Sequence, residues 1–269
     1  MTNLYQYLRR SAKRIIHRIR IYSTSCVSCP AEVPFLIIGE ARTGTNFLAD
    51  LLRSHPDISV AGEILNPYNP EGIRLHFRRK TAVIKHIKRS LLAQPGKCRG
   101  AQTHLLHFRM HSIPLSYLVE QLPDFRYILL YRRSLAEQYV SWKLAKQTGK
   151  WVGTTQTAVH TTKCRVDREE FIEWCTAVKS RYMEAVNCPE LWRNSVSLSY
   201  EALAANPQLA LEESIFPFLG VRPVRVNSRL RKQNPRTLAE CVENFADVAD
   251  LLNQQNLELS NLVMPKAKN

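Results

Sequence analysis

Phe35-Leu36-Ile37-Ile38-Gly39-Glu40-Ala41-Arg42-Thr43-Gly44-Thr45-Asn46-Phe47 is the stretch on which the fold turns. Four consecutive apolar residues after Pro34 read as a strand buried on both faces, and Leu48, Leu51 and Leu52 continue as one face of a helix. Strand, glycine-bearing loop and helix start, in that order, gather backbone N–H groups and the positive end of a helix dipole around one point. That is a cradle for an anion. Gly39 and Gly44 bracket the loop, and Arg42, Thr43, Thr45 and Asn46 add side-chain donors to it.

Outward from this unit, short apolar runs at Ile58-Ser59-Val60, Tyr127-Ile128-Leu129-Leu130 and Val196-Ser197-Leu198 read as further strands. Helical patterns lie between them at about 45–54, 81–93, 114–121, 134–147, 168–186, 207–219 and 238–253. Helices alternating with continuous apolar strands predict an α/β fold, a mainly parallel sheet flanked by helices. Ligands of such sheets bind beyond the carboxyl ends of the strands, so chemistry is sought in the residues just after each one.

The residues at those positions argue against a nucleoside triphosphatase. Its loop would continue Gly-Lys-Ser/Thr, the lysine reaching the terminal phosphates and the hydroxyl holding magnesium. Here the sequence is Gly44-Thr45-Asn46, and the strand at 127–131 runs into Arg132-Arg133-Ser134 where an Asp for the metal would stand. Cations at a strand tip attract phosphate and repel a metal. Phosphate recognition with no metal is the expectation.

The 269 residues, 45% of them hydrophobic, suffice for one large core, and 38 Lys+Arg against 23 Asp+Glu leave a net charge of +15. The excess sits in three acid-free stretches, 1–31, 72–119 and 222–236, and the rest of the chain is net acidic. Concentrated anion sites fit this better than a uniformly basic coat. Seven scattered cysteines with one CxxC (Cys26, Cys29) fit a reduced, cytoplasmic protein without a zinc site. No apolar run approaches the roughly 20 residues that span a bilayer. Leu4, Leu8, Ala12, Ile15, Ile19 and Tyr22 lie opposite a row of arginines. They predict an amphipathic helix that lies peripherally on an anionic membrane, docks on its own domain, or serves as a transit peptide. The expected division is a basic N-terminal segment (1–31), an α/β domain (32–254) and a tail (255–269).

Over roughly residues 33–253 the chain resembles the 3′-phosphoadenylyl-sulfate (PAPS) dependent sulfotransferases, especially the bacterial carbohydrate branch that modifies nodulation factors and glycolipids. Four motifs carry the resemblance. Arg42-Thr43-Gly44-Thr45-Asn46-Phe47 looks like the family's loop for the 5′-phosphosulfate, with Phe47 where an aromatic residue stacks on adenine. Arg133, followed eight residues later by Ser141, matches the pair that the resemblance assigns to the 3′-phosphate. Leu198-Ser199-Tyr200-Glu201 resembles the segment whose tyrosine, here Tyr200, approaches the adenine. Arg231-Lys232 resembles the closing segment over the 3′-phosphate, with Gln233 in place of the usual glycine. The implied fold is the P-loop-like sulfotransferase fold. The implied reaction moves a sulfuryl group from PAPS, the only co-substrate needed, to a hydroxyl of a carbohydrate or glycolipid.

Two residues compete for the general base that such a transfer needs. Glu63, in Gly62-Glu63-Ile64-Leu65-Asn66-Pro67, resembles the glutamate of carbohydrate-type members, and His104, in Gln102-Thr103-His104, resembles the histidine of the cytosolic small-molecule branch. Glu63 is favoured. The lysine usual two residues before that histidine is Gln102 here, a departure that bears on stabilisation of the transferring group. Arg42 is the expected catalytic donor to the leaving oxygen. His107 and His111 read as polar surface, Trp151 as an aromatic for a sugar face or the interior, and the Thr-rich 152–163 as a substrate loop. The alternatives are a P-loop kinase or NTPase of related fold and a non-catalytic anion- or membrane-binding relative. Nucleic-acid binding ranks last, because the basic motifs already have a phosphate-bearing ligand to explain them.

Overall fold

In the computed structural model the described residues are 32–69, 72–73, 79–152, 161–230 and 236–257. Five strands, β1 (Val33–Gly39), β2 (Ile58–Glu63), β3 (Cys98–His104), β4 (Arg126–Tyr131) and β5 (Ser195–Ser199), form one sheet in the order β2-β3-β1-β4-β5. Every pairing is parallel. All five carboxyl ends therefore open on one edge. The helices that follow β1 (45–53) and β4 (135–148) pack on opposite faces of the sheet, which leaves a switch point there, beside the loop after β1.

Alternation along β1 divides the core. Leu36 and Ile38 pack into one layer, whereas Phe35 and Ile37 pack into the other. The first layer takes its helical partners from 80–92, 105–110, 135–148 and 168–186, and the second from 45–53 and the 207–219 segment. Burial on both faces explains why the central strands read as unbroken apolar runs.

β3 is the strand the apolar runs did not reveal. Its sequence, Cys98-Arg99-Gly100-Ala101-Gln102-Thr103-His104, is largely polar, yet it lies between β1 and β2 and is buried along most of its length. The predicted helix at 238–253 is split into Leu238–Cys241 and Phe245–Gln254. Val242 leaves the helix to bridge Cys164, and the Asn244 side chain bonds both N–H and C=O of Val166. The 207–219 segment is continuous but widens into a π-helical turn at Leu211–Ile215, just before Pro217, which has no N–H for the Glu213 carbonyl. Packing also runs past residue 254: Asn256 bridges Ser134, and Leu257 is buried with its N–H on the Arg133 carbonyl. The N-terminal amphipathic segment, Cys26 and Cys29 lie outside the described residues.

Candidate active site

The loop after β1 is built as an anion cradle. Arg42 (φ 69) and Gly44 (φ 88) take left-handed backbone conformations and swing the chain into the helix Thr45–Arg53. The N–H groups of the first helical turn have no partner within the helix, and no acid occupies that turn. A Cβ at Gly44 would stand 2.6 Å from the Tyr200 ring, so glycine is required for conformation and space alike. Gly44→Ala is expected to destabilise the ligand-free protein by about 1–2 kcal/mol, read as a drop of a few degrees in melting temperature. An unchanged melt would mean that the ring yields freely.

Beneath the loop lies a buried ion pair. Arg181, from the helix 168–186, holds both oxygens of Glu40, Nε to Oε1 at 2.6 Å and Nη2 to Oε2 at 3.2 Å. Thr43, expected among the ligand donors, turns inward instead. Its hydroxyl and its N–H both donate to the Glu40 carbonyl, and its side chain is fully buried. Thr43 shapes the loop.

Gly44, Thr45, Asn46, Phe47 and Arg42 line a cavity of about 2080 Å³ beyond the strand tips, with Glu63, His104, Arg132, Ser141 and Tyr200 on its other walls. A pocket for one small ligand is roughly 300–1,000 Å³. There is room for a nucleotide and an acceptor together. Arg42 spans the cavity, its Nε donating to Ser141 Oγ at 2.9 Å and its Nη1 to the Trp151 carbonyl. Burial, followed by repulsion from Arg132, pulls its pKa down to about 10. Two guanidinium groups held close at such a cost mark a place that an anion would stabilise.

The two arginines after β4 are placed differently. Arg132 is buried in the cavity wall, stacked 4.8 Å over the Tyr200 ring and bonded to Glu137, and its Nε has no hydrogen-bond partner. Arg133, the expected anchor for the 3′-phosphate, is half exposed and does not line the cavity. Its Nε stands 3.7 Å from Glu201, whose carboxylate also accepts the Arg133 N–H. Arg231 and Lys232 lie outside the described residues, as does 153–160 of the Thr-rich loop.

On the opposite wall the two candidate bases meet. The register of β2 shifts between Ala61 and Glu63, which turns Glu63 toward the tip of β3. Glu63 Oε2 accepts from Asn66 Nδ2 at 2.6 Å and Asn69 Nδ2 at 3.3 Å, leaving Oε1 3.6 Å from His104 Nε2. The Ile64 and Leu65 carbonyls are pinned by His86 Nε2 (2.9 Å) and His111 Nε2 (2.8 Å). His107 and His111, expected on the surface, are buried because the helix Leu105–Met110 turns them under the β2 loop. His107 stacks on His104 with ring centroids 4.7 Å apart. Burial, with the Arg181 charge next, lowers His104 to about 4; burial and then His104 lower His107 to about 3. Both rings are neutral near pH 7.

Glu63, His104 and His107 each offer a ligand atom, all within 4.8 Å of one another, the spacing of a loose metal triad. The two rings, however, are stacked nearly parallel, and His107 Nδ1 is engaged by the His104 N–H at 3.1 Å. Neither feature suits convergence on a metal, whose histidine ligands donate their second ring N–H outward. Gln102, in place of the family lysine, donates to Asn46 Oδ1 at 3.1 Å and keeps a buried Oε1 without a partner. Sequence reasoning singled out Arg133 rather than Arg132, and it gave no role to Asn66 or Asn69. The arginine was visible as one of a pair, but the asparagines had no signal of their own.

Comparison with known proteins bears on the family and the fold. The sequence matches the sulfotransferase family over residues 34–224. Nodulation protein H of Rhizobium tropici is 26% identical over 234 residues, covering 82% of this chain and 90% of that protein. Its counterpart in Rhizobium meliloti is 25% identical over 226 residues, with 80% and 89% covered. In fold, the crystal structure of a sulfotransferase from Alicyclobacillus acidocaldarius superposes with a TM-score of 0.50 at 15% identity, over 88% of this chain and 99% of that one. With a phosphate loop, a parallel sheet and a family match that spans them, the chain belongs to the sulfotransferase family of enzymes.

Proposed function

We propose that the enzyme transfers the sulfuryl group of PAPS to a hydroxyl of a carbohydrate or glycolipid, without a metal. One observation carries the reading: a single cavity faces a cationic phosphate cradle on one wall and a carboxylate with a free oxygen on the other. The cradle suits PAPS. The helix 45–53 and Arg42 receive the phosphosulfate, Ser141 and Arg133 the 3′-phosphate, and Phe47 and Tyr200 flank the adenine. Arg133 is available for this because an exposed ion pair such as that with Glu201 is worth only about 0–1 kcal/mol.

In the transfer the acceptor oxygen bonds to sulfur as the bond from sulfur to the phosphate oxygen breaks. The hydroxyl proton passes to Glu63 Oε1, and adenosine 3′,5′-bisphosphate leaves. Arg42 and the loop amides stabilise the charge that grows on the leaving oxygen, where each fixed donor is typically worth about 3–4 kcal/mol. Trp151, half exposed at the cavity mouth, supplies a face for a sugar. Cys98, Cys164, Cys175 and Cys188, free and buried among the described residues, fit a reducing compartment such as the cytoplasm. No helix among them is long and apolar enough to cross a membrane; contact with an anionic membrane rests on the basic N-terminal segment.

The test is transfer of labelled sulfate from PAPS to glycan and glycolipid acceptors in excess chelator. Turnover is expected to persist. Loss of turnover that magnesium restores would favour the kinase reading, and no transfer to any acceptor would favour a non-catalytic relative.

A further inference from the structure

Two buried glutamines, Gln102 and Gln138, each aim an amide nitrogen at the phosphate loop. Gln102 Nε2 donates to Asn46 Oδ1 at 3.1 Å, and Gln138 Nε2 donates to the Ala41 carbonyl at 2.8 Å. In both, the amide oxygen Oε1 is left buried without a partner, which is costly. Two further acceptors of the loop are also occupied, the Glu40 carbonyl by the N–H and hydroxyl of Thr43 and the Gly44 carbonyl by the Leu48 N–H. With these acceptors taken, donors are what the loop shows to the cavity. Asn46 is the residue among them whose side chain could show either. It is the second residue of the helix Thr45–Arg53, half-buried in the cavity wall, and its Nδ2 makes no hydrogen bond to the described residues.

We propose that Gln102 is a positioning residue which, by holding Oδ1, turns the Asn46 amide so that Nδ2 meets the anion bound at the loop. The inference rests on the function proposed above for the identity of that anion, the phosphosulfate. An asparagine amide carries an acceptor at one end and two N–H donors at the other. Free to rotate, it would present its oxygen to the anion part of the time, and two acceptors face to face repel. The Gln102 donor removes that orientation, so no reorganisation is needed when the ligand arrives. Gln102 can do this because β3 lies beside β1, with Gln102 opposite Ile37, and so reaches the start of the helix that β1 feeds. Neutral and buried, it acts on the anion through Asn46.

A double-mutant cycle on the whole protein reads this coupling, with adenosine 3′,5′-bisphosphate and inorganic pyrophosphate titrated in parallel. Pyrophosphate asks only for the anion loop. Asn46→Ala is expected to weaken binding by about tenfold and Gln102→Leu by about fivefold, since a hydrogen bond to a charged group is lost in one and misdirected in the other. Once Asn46→Ala is in place, adding Gln102→Leu is expected to change affinity by less than about twofold. Additive losses overturn the inference. The melting temperature of ligand-free Gln102→Leu is expected to hold or rise, because a buried acceptor without a partner is removed. A lower melting temperature with unchanged affinity would show a merely structural role. The Asn46 Nδ2 proton resonances are expected to move downfield as either probe binds the parent, and much less in Gln102→Leu; resonances unmoved in the parent overturn the inference. The coupled cycle seen with pyrophosphate alone would support it while refuting PAPS as the ligand, and no binding of either probe would overturn both.

Discussion

Glu63→Gln is expected to lower turnover by about 10²–10⁴-fold while adenosine 3′,5′-bisphosphate binds as it does to the parent. The substitution keeps the size of the side chain and one oxygen, so the contacts from Asn66 and Asn69 can persist on it. What it removes is the ability to take a proton. The nucleotide cradle lies on the opposite wall and is untouched, so the effect should fall on kcat. His104 is the weaker candidate, because burial pulls its pKa down to about 4 and leaves it a poor proton acceptor near neutral pH. Measuring initial rates beside calorimetric titration separates the two effects; unchanged turnover would move the base to His104.

The second large effect is expected at Arg133. Arg133→Ala should weaken binding of adenosine 3′,5′-bisphosphate by about 2 kcal/mol or more, roughly thirtyfold, because a charge-assisted contact to a doubly charged phosphate is lost. In the ligand-free protein this arginine rests on Glu201 at 3.7 Å, a contact too exposed to compete with phosphate. Glu201→Gln should therefore leave affinity unchanged or slightly improved. Equal affinity for the parent and Arg133→Ala would assign the 3′-phosphate to Arg132, which already stands in the cavity wall with an unpartnered Nε.

Legibility followed burial. β1, β4 and their neighbouring helices were readable because strands covered on both faces must be continuously apolar and covering helices must be amphipathic. β3 escaped because its residues are polar in type yet buried by position: Gln102, Thr103 and His104 lie inside the sheet although no apolar run marks them. The break at Val242–Asn244 escaped for another reason. The pattern there remains helical, and the helix yields only because Cys164 and Val166 offer better partners from about eighty residues away.

The sequence by itself determined the fold class, the anion loop and the family, since each is written in contiguous residues whose local physics suffices: an apolar run, a glycine at a left-handed turn, and a helix start without acids. Only the tertiary structure decided how the site is shared out. It turned Thr43 inward, placed Arg132 rather than Arg133 in the cavity wall, and set Glu63 against a pair of stacked histidines. Those outcomes depend on strand register, on a shift between Ala61 and Glu63, and on which hydrogen bonds close across the sheet. Such pairings join residues distant in the chain, so no local pattern encodes them.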